Sequence, residues 1–320
     1  MARHAFFSPR IIRAFRLPAL LAVMALPVEA TEAPDQVEQL LSKVSSALSE
    51  SNYRGLFTYE HGGTLQTFRV THRVVDGVEE ESLENLSGPP RRVTRVGTEL
   101  GCLSPSERVL RGMFPTLDGS FSGLAQHYHF YVRNEERIAG REALLLQIVP
   151  RDEYRHGYTL AVDKESSVPL MAMTISTNRR VLERLQFASL DTEVDDSWLI
   201  EEQVVPSQQV FSTHCGDHVQ GQTKWDVSWM PSGFIPTGNS TQDGIGDVLQ
   251  FTDGLSSFSV FISPMDEQVS ANGSVQRGAT VAHMEQHVFN MQPYTVTVVG
   301  EIPIAAAQRV ADSIRAIDAN

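Results

Sequence analysis

At 320 residues the chain can hold one large domain or two, and 41% hydrophobic with 20% charged residues is the composition of a globular protein. A formal net charge of −13 argues against nucleic acid as a partner. Positive charge is almost all Arg, the lysines being Lys43, Lys164 and Lys224, and residues 207–320 are strongly acidic.

Arg3, Arg10, Arg13 and Arg16 precede the apolar run Leu17–Leu26, and Val28-Glu29-Ala30 has small residues where a signal peptidase reads. This pattern predicts a secretory leader over residues 1–30, too short for a lasting transmembrane helix. No Cys lies at the expected cut, so no lipid anchor is predicted, and no later apolar stretch approaches a membrane span. The mature chain is expected to be soluble and exported, with this leader type favouring a bacterial periplasm. Cys102 and Cys215 then meet an oxidising compartment. A bridge between them, tying the large domain to a linker, and two separately buried thiols both stay open.

A helix is predicted over Pro34–Leu48, with Val37, Leu40, Leu41, Val44 and Leu48 at helical spacing and Pro34 suited to a first turn. Strands Tyr53–Glu60 and Leu65–Arg73 flank His61-Gly62-Gly63, a hairpin signal. A third strand is expected over Glu79–Leu86, and Arg91–Val96 follows the break at Gly88-Pro89-Pro90. Ser104-Pro105-Ser106-Glu107 reads as a capping box opening a short helix, Pro105 to about Met113. Then come strands Tyr128–Ile138, Ala143–Val149, Tyr158–Val162, Pro169–Ile175 and Val181–Ala188, in up-and-down antiparallel order. The run Leu144-Leu145-Leu146 suggests burial on both faces.

Residues 207–222, SQQVFSTHCGDHVQGQ, have a linker's composition. They divide a large domain, 31–206, from a small one, 223–320. The small domain is predicted to hold strands Trp225–Trp229, Val248–Thr252, Phe258–Ile262, Ala279–Val288 and Tyr294–Val299, then a helix Pro303–Ile317.

Catalytic signatures are missing. Gly119–Gly123 reads GSFSG, with Phe where a nucleophile would stand, and neither H-E-x-x-H nor a phosphate-cradling Gly-rich loop occurs. No enzyme and no cofactor are therefore expected. His214-Cys215-Gly216-Asp217-His218 has metal-ligating residue types, but a polar linker is the better reading. His283 and His287, read on a strand, stand about 13 Å apart, too far for one ion. Phe57, Tyr59, Phe68, Tyr128, Phe130 and Tyr131 are candidates to line a lipid groove, or are ordinary sheet core. Arg91, Arg92 and Arg95 form a basic cluster for an anion or partner, or a solvated strand face.

Three regions in order carry a resemblance. They are NYRGLFTYEHGGTLQTFRVTHRVVDG with LSGPPRRVTRVG, then RIAGREALLLQIVPRDEYRHGYTLAVDKESSVPLMAM, then WMPSGF, FTDGLSSFSVF and VVGEIP. With the leader before them, the chain resembles the MucB/RseB family of periplasmic regulators of sigma-E-type (AlgU-like) envelope stress signalling. The resemblance implies an α+β fold: a large half-open antiparallel β-barrel domain with covering helices, like LolA and LolB, and a smaller α/β C-terminal domain. It implies a non-enzymatic negative regulator. Such a protein binds the periplasmic domain of a transmembrane anti-sigma factor of the RseA/MucA type and shields it from site-1 proteolysis. It also implies sensing of lipid, notably lipopolysaccharide, and leaves a homo-oligomer open. The alternative on the same groove is a periplasmic lipid or lipoprotein carrier.

Overall fold

The computed structural model describes residues 34–89, 91–96, 121–193, 207–209, 223–242, 245–265 and 272–317. The helix expected at Pro105–Met113, both cysteines and most of the proposed linker lie outside these residues.

Helix α1, Pro34–Glu50, buries Val37, Leu41, Val44 and Leu48. Their spacing of three and four places them on one stripe, which packs on a β-sheet. The opening hairpin is β1, Tyr53–His61, and β2, Thr64–Val75, with Phe57 directly opposite Phe68. Gly62 and Gly63 take φ of 53° and 78°. Two positive φ values in succession are what a tight two-residue hairpin turn requires, and glycine adopts them without strain.

The meander continues through β3, Val78–Asn85, and β4, Arg91–Val96. After the short helix α2, Phe121–His127, a second meander runs through β5, Tyr128–Ile138; β6, Arg141–Pro150; β7, Gly157–Asp163; β8, Pro169–Ile175; and β9, Val181–Asp191. Strand β9 returns beside β1 and fuses both meanders into one sheet. With β10, Ser207–Gln209, the order is β10-β4-β3-β2-β1-β9-β8-β7-β6-β5. All its pairs are antiparallel except β10 on β4. The sheet is open, with β10 and β5 at its edges. Its core face carries Tyr53, Phe57, Phe68, Val70, Leu146, Leu160 and Phe187 under α1. Burial on both faces, expected at Leu144-Leu145-Leu146, falls on β7 instead, which is buried at every position. The reason is position: β6 neighbours an edge strand, whereas β7 is interior.

The small lobe starts at β11, Trp225–Val227. Its main sheet has six antiparallel strands in the order β12-β13-β14-β17-β16-β15. They are β12, Ile235–Gln242; β13, Gly246–Thr252; β14, Ser257–Pro264; β15, Gly273–Arg277; β16, Thr280–Phe289; and β17, Gln292–Gly300. Helix α3, Ile304–Asp312, packs Ala306, Ala307 and Val310 against it. With every described strand antiparallel, this lobe is α+β, which corrects the α/β expectation.

The final helix also ends early. Ser313 leaves the helix axis with its Oγ hydrogen-bonded to the Trp229 carbonyl at 2.9 Å, and Ile314–Ala316 form β18 against β11. Ile314 and Ile317 kept helical spacing in the sequence, but pairing with β11 outweighs a local preference of this kind. Strands β12 and β15 were not foreseen. Both are edge strands, IPTGNSTQ and GSVQR, without apolar alternation. Among the described residues no helix is long and apolar enough to cross a membrane.

The Phe57 ring is fully buried, 5.3 Å from the Phe68 ring and 5.6 Å from that of Phe187. Phe57→Ala should therefore cost about 3–5 kcal/mol, read as a lower midpoint in urea unfolding of the mature chain.

Candidate functional site

The six aromatic residues predicted to line a lipid groove do not share one surface. Phe57 and Phe68 are core beneath α1. Phe130 is partly buried at the margin of that core. Tyr131 is the next residue of the same strand, so it points to the opposite face. There the Arg133 guanidinium lies 5.2 Å from its ring centroid and His129 stacks at 6.1 Å. The Tyr128 hydroxyl turns to Asp253 of the small lobe and the Tyr59 hydroxyl to Glu183 of β9, as described below.

The basic cluster also divides. Arg91 is exposed. Arg92 is 5% exposed and bonds Glu84 at 3.3 Å, while Arg69 reaches the same carboxylate at 2.9 Å. This cross-strand row on β2, β3 and β4 corrects the expectation of Arg92 as an open anion contact. Arg95 registers opposite Glu81. Cys102 and Cys215 lie outside the described residues. His283 and His287 are both on β16 and flank Glu285: His283 Nε2 shares a hydrogen bond with one carboxylate oxygen at 2.5 Å, whereas His287 Nε2 lies 3.3 Å from the other without an aligned hydrogen bond. A cleft of about 480 Å³ opens in the small lobe beside Trp225, Val227, Met230, Leu249 and Phe251. None of the predicted lipid residues lines it.

What the sequence reading missed is the junction of the lobes. It is organised on Arg155, in the β6–β7 loop, whose side chain is fully buried. Its Nε donates to both oxygens of Asp152 at 3.1 Å. One terminal nitrogen donates to Asp253 at 2.8 Å and the other to the Ser232 carbonyl at 2.6 Å. The guanidinium also faces the rings of Tyr128 and Phe234, at 5.3 and 5.5 Å. Burial opposes its charge, but the bonds to Asp152 and the fields of Tyr128 and Asp253 win, so its pKa rises.

Asp253, also fully buried, is saturated in turn. Its Oδ2 accepts from Arg155 and from the Tyr128 hydroxyl at 2.8 Å each. Its Oδ1 accepts from the amides of Leu255 and Ser256 at 2.9 and 2.8 Å, which fixes the β13–β14 turn. Burial first, and then the Asp253 charge, raise the Tyr128 pKa well above its usual value. Tyr158 shares a hydrogen bond with Ser256 at 2.8 Å.

Packing interlocks across the same seam. Leu255 of the small lobe is buried in the large core, and Tyr154 of the large lobe packs on the small one. Trp229 meets Tyr154 edge-on at 5.0 Å, and the Arg309 guanidinium covers Trp229 at 4.2 Å while donating to the Tyr154 hydroxyl at 2.6 Å. A second clamp closes the other end. Glu183 accepts from the Tyr59 hydroxyl and from the Ala279 amide, both at 2.8 Å. Gly233, at φ 89°, lies against the His127 ring, and a Cβ there would collide with it. This site offers no exposed nucleophile or acid–base pair. Its chemistry is the positioning of one lobe on the other.

A signal for it was present in the sequence. DEYRHGY supplies Asp152, Tyr154, Arg155 and Tyr158; WMPSGF supplies Trp229, Ser232 and Phe234; FTDGLSS supplies Asp253, Leu255 and Ser256. These stretches carried the resemblance without an assigned role, and in the structure they meet at one point.

Comparison with known proteins gives a consistent result. The family model of the MucB/RseB N-terminal domain matches residues 36–209, and that of the MucB/RseB C-terminal domain matches residues 219–315. The chain is similar to the sigma factor AlgU regulatory protein MucB of Pseudomonas aeruginosa, with 31% identity over 312 residues, 92% of this chain and 94% of that one. It is similar to the sigma-E factor regulatory protein RseB of Escherichia coli, with 23% identity over 295 residues, 86% and 89% of the two chains. Among solved structures, MucB in complex with MucA(peri) aligns with a TM-score of 0.70 at 30% identity, covering 88% of this chain and 99% of that one. A second structure, a crystal structure of MucB, aligns with a TM-score of 0.60 at 29% identity, covering 88% of this chain and 98% of that one.

Removing one member of the buried pair leaves the other charge poorly compensated. Asp253→Ala is expected to cost about 3–5 kcal/mol, and adding Arg155→Met should restore part of that loss. A double-mutant cycle in urea measures the coupling. Strictly additive losses would show that the two residues do not act as a pair.

Proposed function

The chain belongs to the MucB/RseB family, and from that membership we propose that it is a periplasmic negative regulator of sigma-factor release. It binds the periplasmic domain of a transmembrane anti-sigma factor and shields it from the initiating site-1 protease. It acts as a binding protein and not as an enzyme. The observation that carries this reading is the pair of family matches, one on each lobe in order, with the structure of MucB in complex with MucA(peri) among the similar folds. The apolar leader supports export, and a division into leader 1–30, large domain 31–209, linker 210–222 and small domain 223–320 is part of the proposal, because residues 207–209, expected as linker, pair with β4.

The same reading treats the large lobe as a LolA/LolB-like half-open barrel that senses lipid. In support, β5 curls back within reach of β9, and α1 lies over the apolar face so formed. Phe57 and Phe68 sit beneath that helix. An acyl chain reaching them must therefore part α1 from the sheet, and Phe130 is the candidate nearest the margin.

Purified mature protein should bind the anti-sigma periplasmic domain at micromolar concentration or tighter and slow its cleavage by the site-1 protease. Lipopolysaccharide should reverse the protection. No binding at micromolar concentration would sink the proposal, whereas lipid binding with an unchanged cleavage rate would favour the carrier.

A further inference from the structure

We propose that the junction between the lobes is acid-labile: His127 and His156 must be neutral for the lobes to close, so acidification parts them. The inference stands on where the two imidazoles lie and is independent of the partner. His156 is 2% exposed, directly follows Arg155 and abuts the backbone of Ala279, itself fully buried in the β15–β16 turn of the small lobe. Neither of its ring nitrogens makes a well-aligned hydrogen bond among the described residues. His127, the last residue of α2, packs against Gly233 of the small lobe. Both rings therefore lose solvent to the other lobe, and both regain it when the lobes separate.

The charges around them do not compensate protonation. His127 faces Arg151, Asp152 and Arg155 from the β6–β7 loop and Asp253 from the β13–β14 turn. Burial first, and then the Arg155 guanidinium, lower its pKa against the pull of Asp253 and Asp152. Those two carboxylates are already committed to Arg155. At His156 burial dominates, and only the Ala279 backbone acts in the other direction. Glu183, Arg277 and Glu301, the charged groups around that turn, act on Tyr59 instead.

The closed junction takes the His156 pKa from 6.5 down to about 4. A parted state with the ordinary value binds a proton that the closed state refuses between those limits. The advantage of closure is thus complete above pH 6.5, falls as pH drops and levels off below about 4. The change is about 30-fold at pH 5 and about 300-fold in total, with His127 adding to it in the same direction.

Hydrogen exchange of the mature chain tests this at the Ala279 amide, which donates across the junction to Glu183. Its protection, corrected for the intrinsic rate, should fall about 30-fold or more from pH 7.5 to pH 5. The amides of the small-lobe core strands, at Val260 and Val298, should keep theirs. H156Q should flatten the fall at Ala279. Should H156Q not fold, H127Q, at a half-buried position, is the second variant and should shrink the fall. Unchanged Ala279 protection between the two pH values overturns the proposal. So does a matching loss at Val260 and Val298, which would be unfolding of the lobe, or an undiminished fall in both variants.

Discussion

A guanidinium without solvent must find its hydrogen bonds in the protein, and Arg155 finds them in three separate stretches of chain. Taking two charges out of water costs several kcal/mol per ion, so a buried pair adds little net stability over well-packed apolar groups. What this pair supplies is geometry. A planar fork accepts its partners only in fixed directions, so Asp253 and the Ser232 carbonyl have one permitted position relative to the β6–β7 loop. The turn at Asp253–Ser256, the Tyr128 hydroxyl and the seating of Leu255 all follow from that placement.

The seam combines two kinds of contact. Leu255 and Tyr154 are exchanged between cores and supply non-directional burial. The Arg155 and Glu183 clusters supply direction, one at each end. Apolar contact alone would let the lobes slide over one another. Polar contact alone would dissolve into water, because each of its bonds has an aqueous counterpart of similar strength. Together they define one arrangement of the two lobes.

Much of the architecture could be read from the residues. The α1 stripe, the Gly62-Gly63 hairpin and the up-and-down order of the second meander are local facts, written in apolar spacing and turn residues. Where local preference and tertiary pairing conflicted, the sequence misled. Ile314 and Ile317 looked helical because the competing strand, Trp225–Val227, lies some ninety positions earlier in the chain. Edge strands β12 and β15 were invisible because a strand paired along one edge only, with the other edge wet, needs no apolar alternation. The junction was the hardest part. Arg151–Glu153 falls between the expected strands Ala143–Val149 and Tyr158–Val162, and nothing nearby announces that Arg155 is buried by Asp253. The six aromatic residues could not all line one surface for a simpler reason: Phe130 and Tyr131 are adjacent, and adjacent strand residues cannot share a face.

The fusion of the two meanders at β1 and β9 sets an order on folding. Residues 54–61 pair with residues 183–191, whereas nearly every other pair in the large sheet joins neighbours in the chain. Local hairpins close quickly, but this one contact must first bear the entropy of a loop of well over a hundred residues. A chain leaving an export channel N-terminus first therefore carries β1 with one edge bare until residues 183–191 have followed. During that interval β1 can pair with any extended strand nearby, including the β1 of another copy. Completing the sheet at its centre, and not at its rim, makes the closing strand of the second meander the one that protects the first strand of the chain.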